Sequence, residues 1–461
     1  MSKVIEFRPA PSRDSGHRRE TLLRFAARHS PRYTSYPTAP HFHDGVTGET
    51  VAGWLEALPP NEAVSLYLHI PYCHTLCWYC GCNTTATQKR APIAAYVDPL
   101  LAEIDRIADR LPARMRVSHL AFGGGTPTIL SERDLDRIMA RLHARFDLEA
   151  GAEISIEIDP REFDTTLAPA LAAHGVTRAS TGIQTFDLKT QRAINRIQSL
   201  DITRRAFDRL REAGIADINA DVLYGLPHQT CESSEATAKD VLSLEPSRLA
   251  VFGYAHVPHM KAHQRLIPDK TLPGPAERLD QADVMDDVFC TAGFERVGID
   301  HYARVDDAMA LASRAGTLRR NFQGYTTDRA ETLIGIGASS ISRTPSGYVQ
   351  NHTGVRMWRD SLDKGELPVA RGVALSAEDR YRGAIIEQLM TQLSVDLDAV
   401  SQIHARPVPD VDLSELEAAG IVTRTGSHLA IHPDYRPLAR LAAAAFDTYL
   451  TGSSARHSVS V

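Results

Sequence analysis

The chain has 461 residues, of which 43% are hydrophobic and 23% charged, and its formal net charge at pH 7 is −6. This is the composition of an ordinary globular protein with a sizeable core. No apolar run approaches the roughly 18 residues that span a bilayer, and no signal-peptide pattern opens the chain, so we expect no membrane association. The mildly acidic charge gives no reason to expect a nucleic-acid partner.

The amino-terminal residues depart from this charge balance. Residues 1–33 contain eight basic side chains against three acidic ones. Three interpretations are open: an organelle transit peptide, which the interspersed acids weaken, a partly mobile tail, or a basic lid over an anionic substrate. We predict that residues 1–50 form a basic extension that acts as a lid.

Six strand-like runs alternate with helical segments along the next 250 residues. The runs cover residues 64–70, 117–123, 153–158, 178–183, 217–225 and 248–255. Between them, apolar residues recur at spacings of three and four, which is typical of amphipathic helices. Alternating strands and helices predict a mainly parallel sheet. Six such units favour an α/β fold over residues 51–305, either a partial (βα)6 barrel or an open doubly wound sheet.

The strand–helix rhythm changes after about residue 300. We predict that residues 306–371 form a barrel extension or connection, and that residues 372–455 form a small helical, winged-helix-like domain followed by a tail over 456–461. Two helices in this domain precede IVTRTGSHLAIH, which reads as a hairpin. GIGASS at 335–340 is only a fragment of a dinucleotide-binding glycine motif and follows no clear strand, so we predict no such site.

Four of the six cysteines lie on one loop directly after the first predicted strand, as Cys73, Cys77, Cys80 and Cys82. Clustering favours a reducing compartment over a disulfide scaffold, so we predict a cytoplasmic protein. The C-x3-C-x2-C spacing differs from zinc knuckles and from ferredoxin motifs. Three thiolates on one loop can hold three irons of a [4Fe–4S] cluster and leave the fourth open to S-adenosylmethionine. A zinc-stabilised interaction module remains an alternative.

The other predicted strands also end in glycine or polar residues, which a buried core would not select. In a parallel α/β sheet the carboxyl ends of the strands form the ligand site, so these residues are candidates for binding. Each has a structural alternative: the triple glycine is a tight turn, Glu157 pairs with a structural arginine, Asp221 caps a loop, and His69 is a core histidine. The candidates are Gly123, Gly124, Gly125, Thr126, Ser155, Glu157, Asp159, Gln184, Asp221, Gly225, Ala255 and His256.

The cysteine motif after the first strand of a partial barrel resembles that of the radical S-adenosylmethionine enzymes. Longer stretches, which span nearly the whole chain, resemble the oxygen-independent coproporphyrinogen III oxidase family. They are PRYTSYPTA, YLHIPYCHTLCWYCGCN, FGGGTPT, EISIEIDPRE, GIQTFD, NADVLYGLPHQT, YAHVP and NFQGYTT. The PRYTSYPT segment and the added Cys82 are more specific than the cysteine motif alone.

This resemblance implies one [4Fe–4S] cluster, held by Cys73, Cys77 and Cys80, and two molecules of S-adenosylmethionine. The residues similar to the family's contacts with the iron-bound molecule are Tyr67, Gly124, Glu157 and Ile341. Those similar to its contacts with the second molecule are Tyr79, Gly125, Thr126, Gln184, Arg196, Asp221 and Ala255. No catalytic side chain is implied beyond cluster and cofactors, with Cys82 as a candidate. A fourth thiolate would block the open iron, so we predict that Cys82 is not a ligand when the cofactor is bound.

The resemblance also implies the reaction. Two propionate side chains of coproporphyrinogen III would be decarboxylated to vinyl groups, giving protoporphyrinogen IX in haem biosynthesis, with an unidentified one-electron donor. We hypothesise that Arg32 and Tyr33 contact this tetracarboxylate substrate, and we expect a monomer. A haem-chaperone-like protein or a haem-modifying radical enzyme on the same scaffold is the alternative.

Overall fold

A computed structural model of the protein describes residues 15–450. The first part of the predicted basic extension, including Lys3, Arg8 and Arg13, and the predicted tail at 456–461 lie outside the described residues. Within the described part, no helix combines the length and the apolar character that crossing a membrane requires.

The described helices lie between the strands and at both ends of the chain. They are α1 (Ser15–Ala26), α2 (Gly48–Glu56), α3 (Arg90–Ala108), α4 (Glu132–Arg145), α5 (Ala168–Ala173), α6 (Leu188–Ala193), α7 (Leu200–Glu212), α8 (Cys231–Leu242), α9 (Pro275–Thr291), α10 (Ala308–Arg314), α11 (Val355–Asp363), α12 (Ala377–Gln392), α13 (Leu397–His404), α14 (Ser414–Ala418) and α15 (Ala439–Ala444).

The strands include the six that the sequence predicts. They are β1 (Ala63–Ile70), β2 (Tyr72–Cys73), β3 (Thr85–Ala86), β4 (Arg116–Gly124), β5 (Asp147–Ile158), β6 (Arg178–Gln184), β7 (Asp217–Tyr224), β8 (Arg248–Gly253), β9 (Phe294–Val297), β10 (His301–Arg304), β11 (Arg319–Asn321), β12 (Gly324–Thr326), β13 (Thr332–Ile336), β14 (Ile341–Thr344), β15 (Gly347–Asn351), β16 (Val369–Ala374), β17 (Ser394–Asp396), β18 (Val422–Thr425) and β19 (His428–Ile431).

Twelve of these strands form one sheet in the order β16-β15-β14-β13-β1-β4-β5-β6-β7-β8-β10-β9. The seven strands from β13 to β8 are mutually parallel, and antiparallel strands extend the sheet at both ends. Among the described residues no pairing joins the two edges, so the sheet is open. The prediction of a partial α/β barrel with mainly parallel strands is confirmed.

One parallel strand was not predicted. Strand β13 pairs with β1 in parallel, Val64 opposite Thr332 and Leu68 opposite Ile336. The expectation that GIGASS follows no strand is therefore wrong, because its first residues belong to β13. The pattern is hard to recognise because a glycine interrupts a five-residue run. A Cβ atom at Gly335 would lie only 2.6 Å from the carbonyl oxygen of Ile341, so the close approach of β14 requires glycine.

The main core lies between the parallel sheet and its helices. Strand β1 is buried almost throughout, with Leu66, Leu68 and Ile70 at most 1% exposed, as expected for a central parallel strand covered on both faces. Residues on α3 and α4, such as Leu100 and Ile138, pack into the same cluster. This packing fixes the strand ends on which the candidate site is built.

A second core joins the amino-terminal segment to the carboxyl-terminal unit. Leu22 and Phe25 of α1 pack with Leu389 of α12 and with Leu438. Arginines of α1 add ion pairs to other parts of the chain, Arg18 to Asp283 at 2.8 Å and Arg19 to Asp280 at 2.8 Å. Part of the basic charge near the amino end therefore serves to dock this segment.

The carboxyl-terminal unit contains the helices and the hairpin that the sequence predicts. Helices α12, α13 and α14 precede the β18–β19 hairpin, and β17 adds a third strand to it. After the hairpin, a 3₁₀ turn over Pro433–Leu438, with Tyr435 outside helical geometry, leads into the short helix α15. Pro437 explains this, because proline removes a backbone donor inside a helix.

A buried carboxylate on α3 ties the loop after β13 to the helical layer. Glu103, 1% exposed, accepts hydrogen bonds from the Gly337 amide at 2.7 Å, the Asn351 amide group at 2.6 Å and the Trp358 indole at 2.8 Å. Burial raises the pKa of this carboxyl to about 7, although the three donors oppose the change. The loop it holds precedes Ile341, one of the predicted cofactor contacts.

We predict that Glu103→Ala destabilises the protein strongly. The substitution leaves the Gly337 amide and the Trp358 indole without an acceptor, while Asn351 keeps the Gly337 carbonyl and Ser340 as acceptors. Each buried donor left unpaired costs about 1–3 kcal/mol, so the midpoint of thermal unfolding should fall by several degrees. Asp98→Ala is the matched control, since Asp98 is 75% exposed on the same helix in a surface ion pair, which is worth less than about 1 kcal/mol. Equal midpoints for the two variants would contradict the role assigned to Glu103.

Candidate cluster and cofactor site

The cysteine loop is closed by a short parallel pairing. Tyr72 and Cys73 in β2 pair with Thr85 and Ala86 in β3, so the residues between them form a loop over the carboxyl ends of the strands. Cys73, Cys77 and Cys80 all lie on it. The structure therefore places the three predicted ligand cysteines on one loop at the mouth of the sheet.

Positive charge surrounds one of the three thiols. The Cys77 sulfur accepts hydrogen bonds from Arg161 at 3.3 Å and from Arg196 at 3.5 Å, and Cys77 is only 7% exposed. The Thr126 hydroxyl donates to the Cys73 sulfur at 3.4 Å. Donors directed at sulfur favour the thiolate, which is the form that binds a metal. At Cys73, burial outweighs these donors and raises the pKa of the thiol to about 11.

The third thiol is paired with the fourth. The amide of Cys82 donates to the Cys80 sulfur at 3.4 Å. The hydrogen bond from the Cys82 side chain lowers the pKa of the Cys80 thiol to about 6, and the same interaction raises the pKa of Cys82. Cys82 is therefore placed beside the candidate ligand set as a proton-bearing neighbour.

The donor set fits an iron–sulfur cluster. Among residues 15–450, no three histidine, cysteine or acidic side chains are placed to hold one metal ion. In a [4Fe–4S] cluster each cysteine binds a different iron, so the thiols need not converge on one point. Three cysteines on one loop, with basic and hydroxyl donors against their sulfurs, supply the ligands and the charge balance for such a cluster.

Residues far along the chain hold the main chain of this loop. Lys261, His263 and Gln264 contact the carbonyl oxygens of Cys82, Cys80 and Tyr79 at 3.0, 2.8 and 2.9 Å, respectively. None of these three residues was predicted to belong to the site. The only feature of the sequence that points to them is a polar run after β8, which is weak evidence for a binding role.

The triple glycine lets two strand ends approach the loop closely. A Cβ atom at Gly125 would lie 2.4 Å from the carbonyl oxygen of Tyr72, and Gly124 has a φ of +116°. The Gly125 amide donates to Ile70 at 2.8 Å and the Thr126 amide to Tyr72 at 2.8 Å. The alternative of a simple tight turn is thus insufficient, because this stretch joins β4 to the cysteine loop.

Three of the four residues predicted to contact the iron-bound cofactor lie on the adjacent strands β1, β4 and β5. Glu157 on β5 accepts from the Gly124 amide at 2.9 Å, and a Cβ atom at Gly123 would lie within 3 Å of both Glu157 and Tyr67. Tyr67 lies 3.0 Å from the His69 ring nitrogen. The structure therefore brings Tyr67, Gly124 and Glu157 together.

Ile341 and His69 are two further residues of this region that the sequence singled out. Ile341 at the start of β14 is half-buried and packs against the cluster of Phe42, Tyr348 and Val373. The other ring nitrogen of His69 lies 2.9 Å from the Asn83 carbonyl, so both nitrogens have partners. His69 thus fits the alternative of a satisfied core histidine.

The residues predicted for the second cofactor molecule lie on the cysteine loop, within β7, and at or after the ends of β4, β6 and β8. Asp221 accepts from the Asn219 amide group at 2.7 Å and from Ser180 at 3.3 Å, and Gln184 ends β6 with a φ of 70°. Arg196 contacts Cys77 and donates to Asp159 at 3.0 Å. Tyr79 packs in an apolar cluster with Trp78, Leu226 and Tyr254. Ala255 comes directly after Tyr254 in the chain.

Asp159, a predicted candidate, and Arg161, which was not predicted, are central residues of the site. Asp159 accepts from Arg161 at 2.6 Å and from Arg196 at 3.0 Å. Burial alone would raise the pKa of Asp159, but the two guanidinium groups outweigh it and lower the pKa to about 2. Asp159 stood among the polar residues after the third predicted strand, but nothing in the sequence connects it with Cys77.

Two carboxylates of the site lack a cationic partner. Among the described residues, neither Glu157 nor Asp221 forms an ion pair with a basic side chain. Burial, with the charge of Asp221, raises the pKa of Glu157 to about 7, and burial raises that of Asp221 to about 6. The alternatives of a structural ion pair for Glu157 and a loop cap for Asp221 are not what the structure contains. Glu157 lines a cavity and Asp221 is half-buried, and carboxylates without cations in such positions suit a positively charged ligand.

Comparison with known proteins places this site in a family. Residues 67–241 match the radical SAM superfamily. The chain is 44% identical over 449 residues to the oxygen-independent coproporphyrinogen III oxidase of Bradyrhizobium diazoefficiens, covering 96% of this chain and 100% of the relative. The chain belongs to the oxygen-independent coproporphyrinogen III oxidase family. Membership of the radical SAM superfamily implies a [4Fe–4S] cluster and S-adenosylmethionine.

Two further relatives agree with this assignment. The enzyme of the same name from Paracoccus denitrificans is 44% identical over 448 residues, covering 96% of this chain and 98% of the relative. The solved structure of coproporphyrinogen III oxidase (HemN) from Escherichia coli, described as a radical SAM enzyme, is 37% identical with a TM-score of 0.86, covering 91% of this chain and 97% of that structure. The predicted family and its mixed α/β fold are confirmed.

We predict that S-adenosylmethionine binds more tightly as pH rises from about 6 to 8. The ligand carries positive charge, which would stabilise ionised Glu157, so deprotonation of a carboxyl with a pKa of about 7 favours binding. Equilibrium dialysis of anaerobic, reconstituted protein measures this dependence. Glu157→Gln should bind more weakly at pH 8 by about tenfold or more and lose most of the dependence.

Asp147→Asn is the matched control for this experiment, because Asp147 is exposed at the other end of the same strand. It should keep both the affinity and the pH profile. An unchanged profile in Glu157→Gln would contradict the assignment of the titration to Glu157.

Proposed function

We propose that this protein catalyses the oxygen-independent conversion of coproporphyrinogen III to protoporphyrinogen IX. The observation that carries the proposal is the thiol loop, with its basic and hydroxyl donors, placed over strand ends whose carboxylates, Glu157 and Asp221, have no cationic partner among the described residues. It occurs in a chain that resembles enzymes named for this activity along nearly their whole length. In the reaction, each of two propionate groups loses carbon dioxide, one hydrogen atom and one electron, and becomes a vinyl group.

The residues of the chain have distinct roles in this proposal. Cys73, Cys77 and Cys80 would hold the cluster. When bound, a reduced cluster and S-adenosylmethionine supply a carbon-centred radical that takes hydrogen from the propionate. Arg161 and Arg196, which donate to the Cys77 sulfur, would balance the negative charge of the thiolates. The apolar residues around Tyr79 would exclude water from the strand ends.

Two cofactor molecules are proposed because ligand groups occupy two sets of strand ends. Tyr67, Gly124, Glu157 and Ile341 would contact the iron-bound molecule. Tyr79, Gly125, Thr126, Gln184, Arg196, Asp221 and Ala255 would contact the second. Glu157 and Asp221 each lack a cationic partner among the described residues, which supports one cationic ligand beside each.

The remaining parts of the proposal concern partners and the basic lid. We propose a cytoplasmic monomer that takes single electrons from a separate, unidentified donor. Arg32 is exposed and borders a large cavity beside β8, which supports its role as a substrate contact. The Tyr33 hydroxyl donates to Asp447 at 3.0 Å, so contact with substrate through that hydroxyl would require Tyr33 to exchange this partner.

An anaerobic assay with coproporphyrinogen III, S-adenosylmethionine and a reductant tests the main proposal. The reconstituted protein should form protoporphyrinogen IX, and Cys73→Ala, Cys77→Ala and Cys80→Ala should lose both iron and activity. Cys231→Ala is the matched control, because this isolated cysteine lies on α8, away from the loop. Protein with an intact cluster that binds haem and leaves the substrate unchanged would instead support the chaperone-like alternative.

A variant of Cys82 distinguishes a role as cluster ligand from a role as proton donor. We predict that Cys82→Ala retains the iron and sulfide content of the wild type, because three other thiols suffice for a cluster with an open iron. Product formation should fall if the thiol is needed in turnover. Loss of iron equal to that in Cys80→Ala would overturn the prediction.

The number of bound cofactor molecules can be counted directly. Equilibrium dialysis of reconstituted wild-type protein with S-adenosylmethionine should give two molecules per chain. We expect Asp221→Asn to bind about one molecule while keeping the change in the cluster spectrum that binding to iron produces. A wild-type count of one would refute the second site.

A further inference from the structure

A cavity of about 440 Å³ lies beside the cofactor residues, between the end of β8, helix α9 and the carboxyl-terminal unit. This size is within the usual range for small-molecule sites. Ala255, a predicted cofactor contact, and its neighbour Tyr254 line one side of it. The cavity is therefore continuous with the candidate cofactor site.

The cavity is lined by seven arginines and five aspartates. Two of the arginines are neutralised within the wall, since Arg18 pairs with Asp283 at 2.8 Å and Arg296 pairs with Asp286. A third carboxylate, Asp300, contacts the ring of His301 at 2.7 Å. The other two are Asp287, which is exposed, and Asp434, whose carboxylate faces His432 at 3.7 Å. Basic side chains without a carboxylate partner therefore remain in the wall.

Arg278 on α9 is the member closest to the strand ends. It donates to the Tyr254 carbonyl at 3.0 Å and lies over the Tyr224 ring at 5.7 Å. A Cβ atom at Gly225 would lie 2.3 Å from its guanidinium, and one at Gly253 would lie 2.9 Å away. Glycines after β7 and at the end of β8 thus make room for a positive charge at the mouth of the sheet.

Arg320 and Arg436 approach the cavity from two other parts of the chain. Arg320 on β11 is 8% exposed, lies over the Tyr325 ring at 4.4 Å and donates to the carbonyl of Arg32 at 3.4 Å. Arg436, in the turn before α15, donates to the carbonyl of Gly298. Among the described residues, neither arginine nor Arg278 forms an ion pair, and each keeps at least one buried guanidinium nitrogen without an acceptor.

Electrostatics support an anionic ligand at this position. Burial lowers the pKa of Arg278, and the charge of nearby Arg32 lowers it further. Burial also lowers the pKa of Arg436, where Arg296 is the neighbour that adds to the effect. Asp286 near Arg436 and Asp300 near Arg320 offset only part of the positive charge of seven arginines, so an incoming anion would reduce the remaining repulsion between the guanidinium groups. Carboxylates are the natural ligands, because guanidinium binds them in bidentate geometry.

We propose that Arg278, Arg320 and Arg436 bind the carboxylates of those propionate groups of coproporphyrinogen III that are not being decarboxylated. This inference rests on the proposed function and adds a site for the remainder of the substrate. Because the cavity adjoins Ala255, carboxylates held there would leave another propionate directed at the cofactor residues. Arg436 would give the carboxyl-terminal unit a direct part in substrate binding.

Binding of coproporphyrinogen III to anaerobic, cluster-loaded protein without reductant tests this site, since no turnover occurs. The wild type should bind the tetracarboxylate at least about tenfold more tightly than its tetra-amide, in which every carboxylate is a neutral carboxamide. Arg278→Gln, Arg320→Gln and Arg436→Gln should each weaken binding of the tetracarboxylate by about ten- to hundredfold and leave binding of the tetra-amide unchanged. Arg133→Gln, an exposed arginine on α4, is the matched control and should bind like the wild type.

Variants that bind the tetracarboxylate as tightly as Arg133→Gln would overturn the proposal. The comparison of acid and amide in the wild type needs no variant, so equal affinities would overturn it even if a glutamine variant failed to fold. Arg320→Lys, which keeps the charge, should retain more affinity than Arg320→Gln. A wild type that neither binds nor converts coproporphyrinogen III would refute the proposed function itself, whereas conversion without discrimination between acid and amide would refute only the cavity.

Discussion

The arrangement of the site depends on one buried charge network, in which Arg161 and Arg196 lie between Asp159 and the Cys77 sulfur. Asp159 follows β5, Cys77 is on the loop after β1, and Arg196 follows β6, so the network fixes three strand ends relative to one another. Buried charges are stable only when they are balanced, and a single carboxylate does not balance two guanidinium groups. The Cys77 sulfur accepts hydrogen bonds from both guanidinium groups, so as a metal-bound thiolate it would provide the second negative charge.

The strand ends predicted to bind the cofactors instead carry negative charge without cations. Glu157 and Asp221 have no cationic partner among the described residues, and their raised pKa values mean that the folded chain holds protons more tightly than the unfolded chain does. Their contribution to stability is present at low pH and is lost as pH rises through the folded pKa values of about 6 and 7. Near neutral pH, the protein without its cofactors therefore loses the stability that these carboxyls contribute when protonated. A cationic ligand would stabilise their ionised form. Sites for function commonly break the rule that buried charges are paired.

The sequence predicted the parts of this arrangement that depend on local pattern. Six strands, the helices between them and the cysteine loop follow from periodicity and spacing, and the rule that ligands bind at strand ends brought Glu157, Gln184 and Asp221 into one site. It could not predict contacts between distant segments. Strand β13 was missed because Gly335 interrupts a short run, and no pattern links Lys261, His263 and Gln264 to the carbonyls of the cysteine loop. Asp159 was visible as a polar residue, but its partners are set by the tertiary fold.

The amino-terminal segment and the carboxyl-terminal unit are best understood together, because they share one core and meet beside the cavity. Leu22 and Phe25 of α1 pack against the carboxyl-terminal helices, and the Tyr33 hydroxyl donates to Asp447. If the cavity holds carboxylates as proposed, the arginines around it come from α9, β11 and the turn before α15. A substrate with several carboxylates would then connect these segments, since each guanidinium gains an anion only when all of them are in place. The basic charge near the amino end would serve two purposes, docking of α1 through Arg18 and Arg19, and recognition through Arg32. A lid assembled in this way closes most favourably over a polyanion, because a neutral ligand of the same shape leaves the guanidinium groups repelling one another.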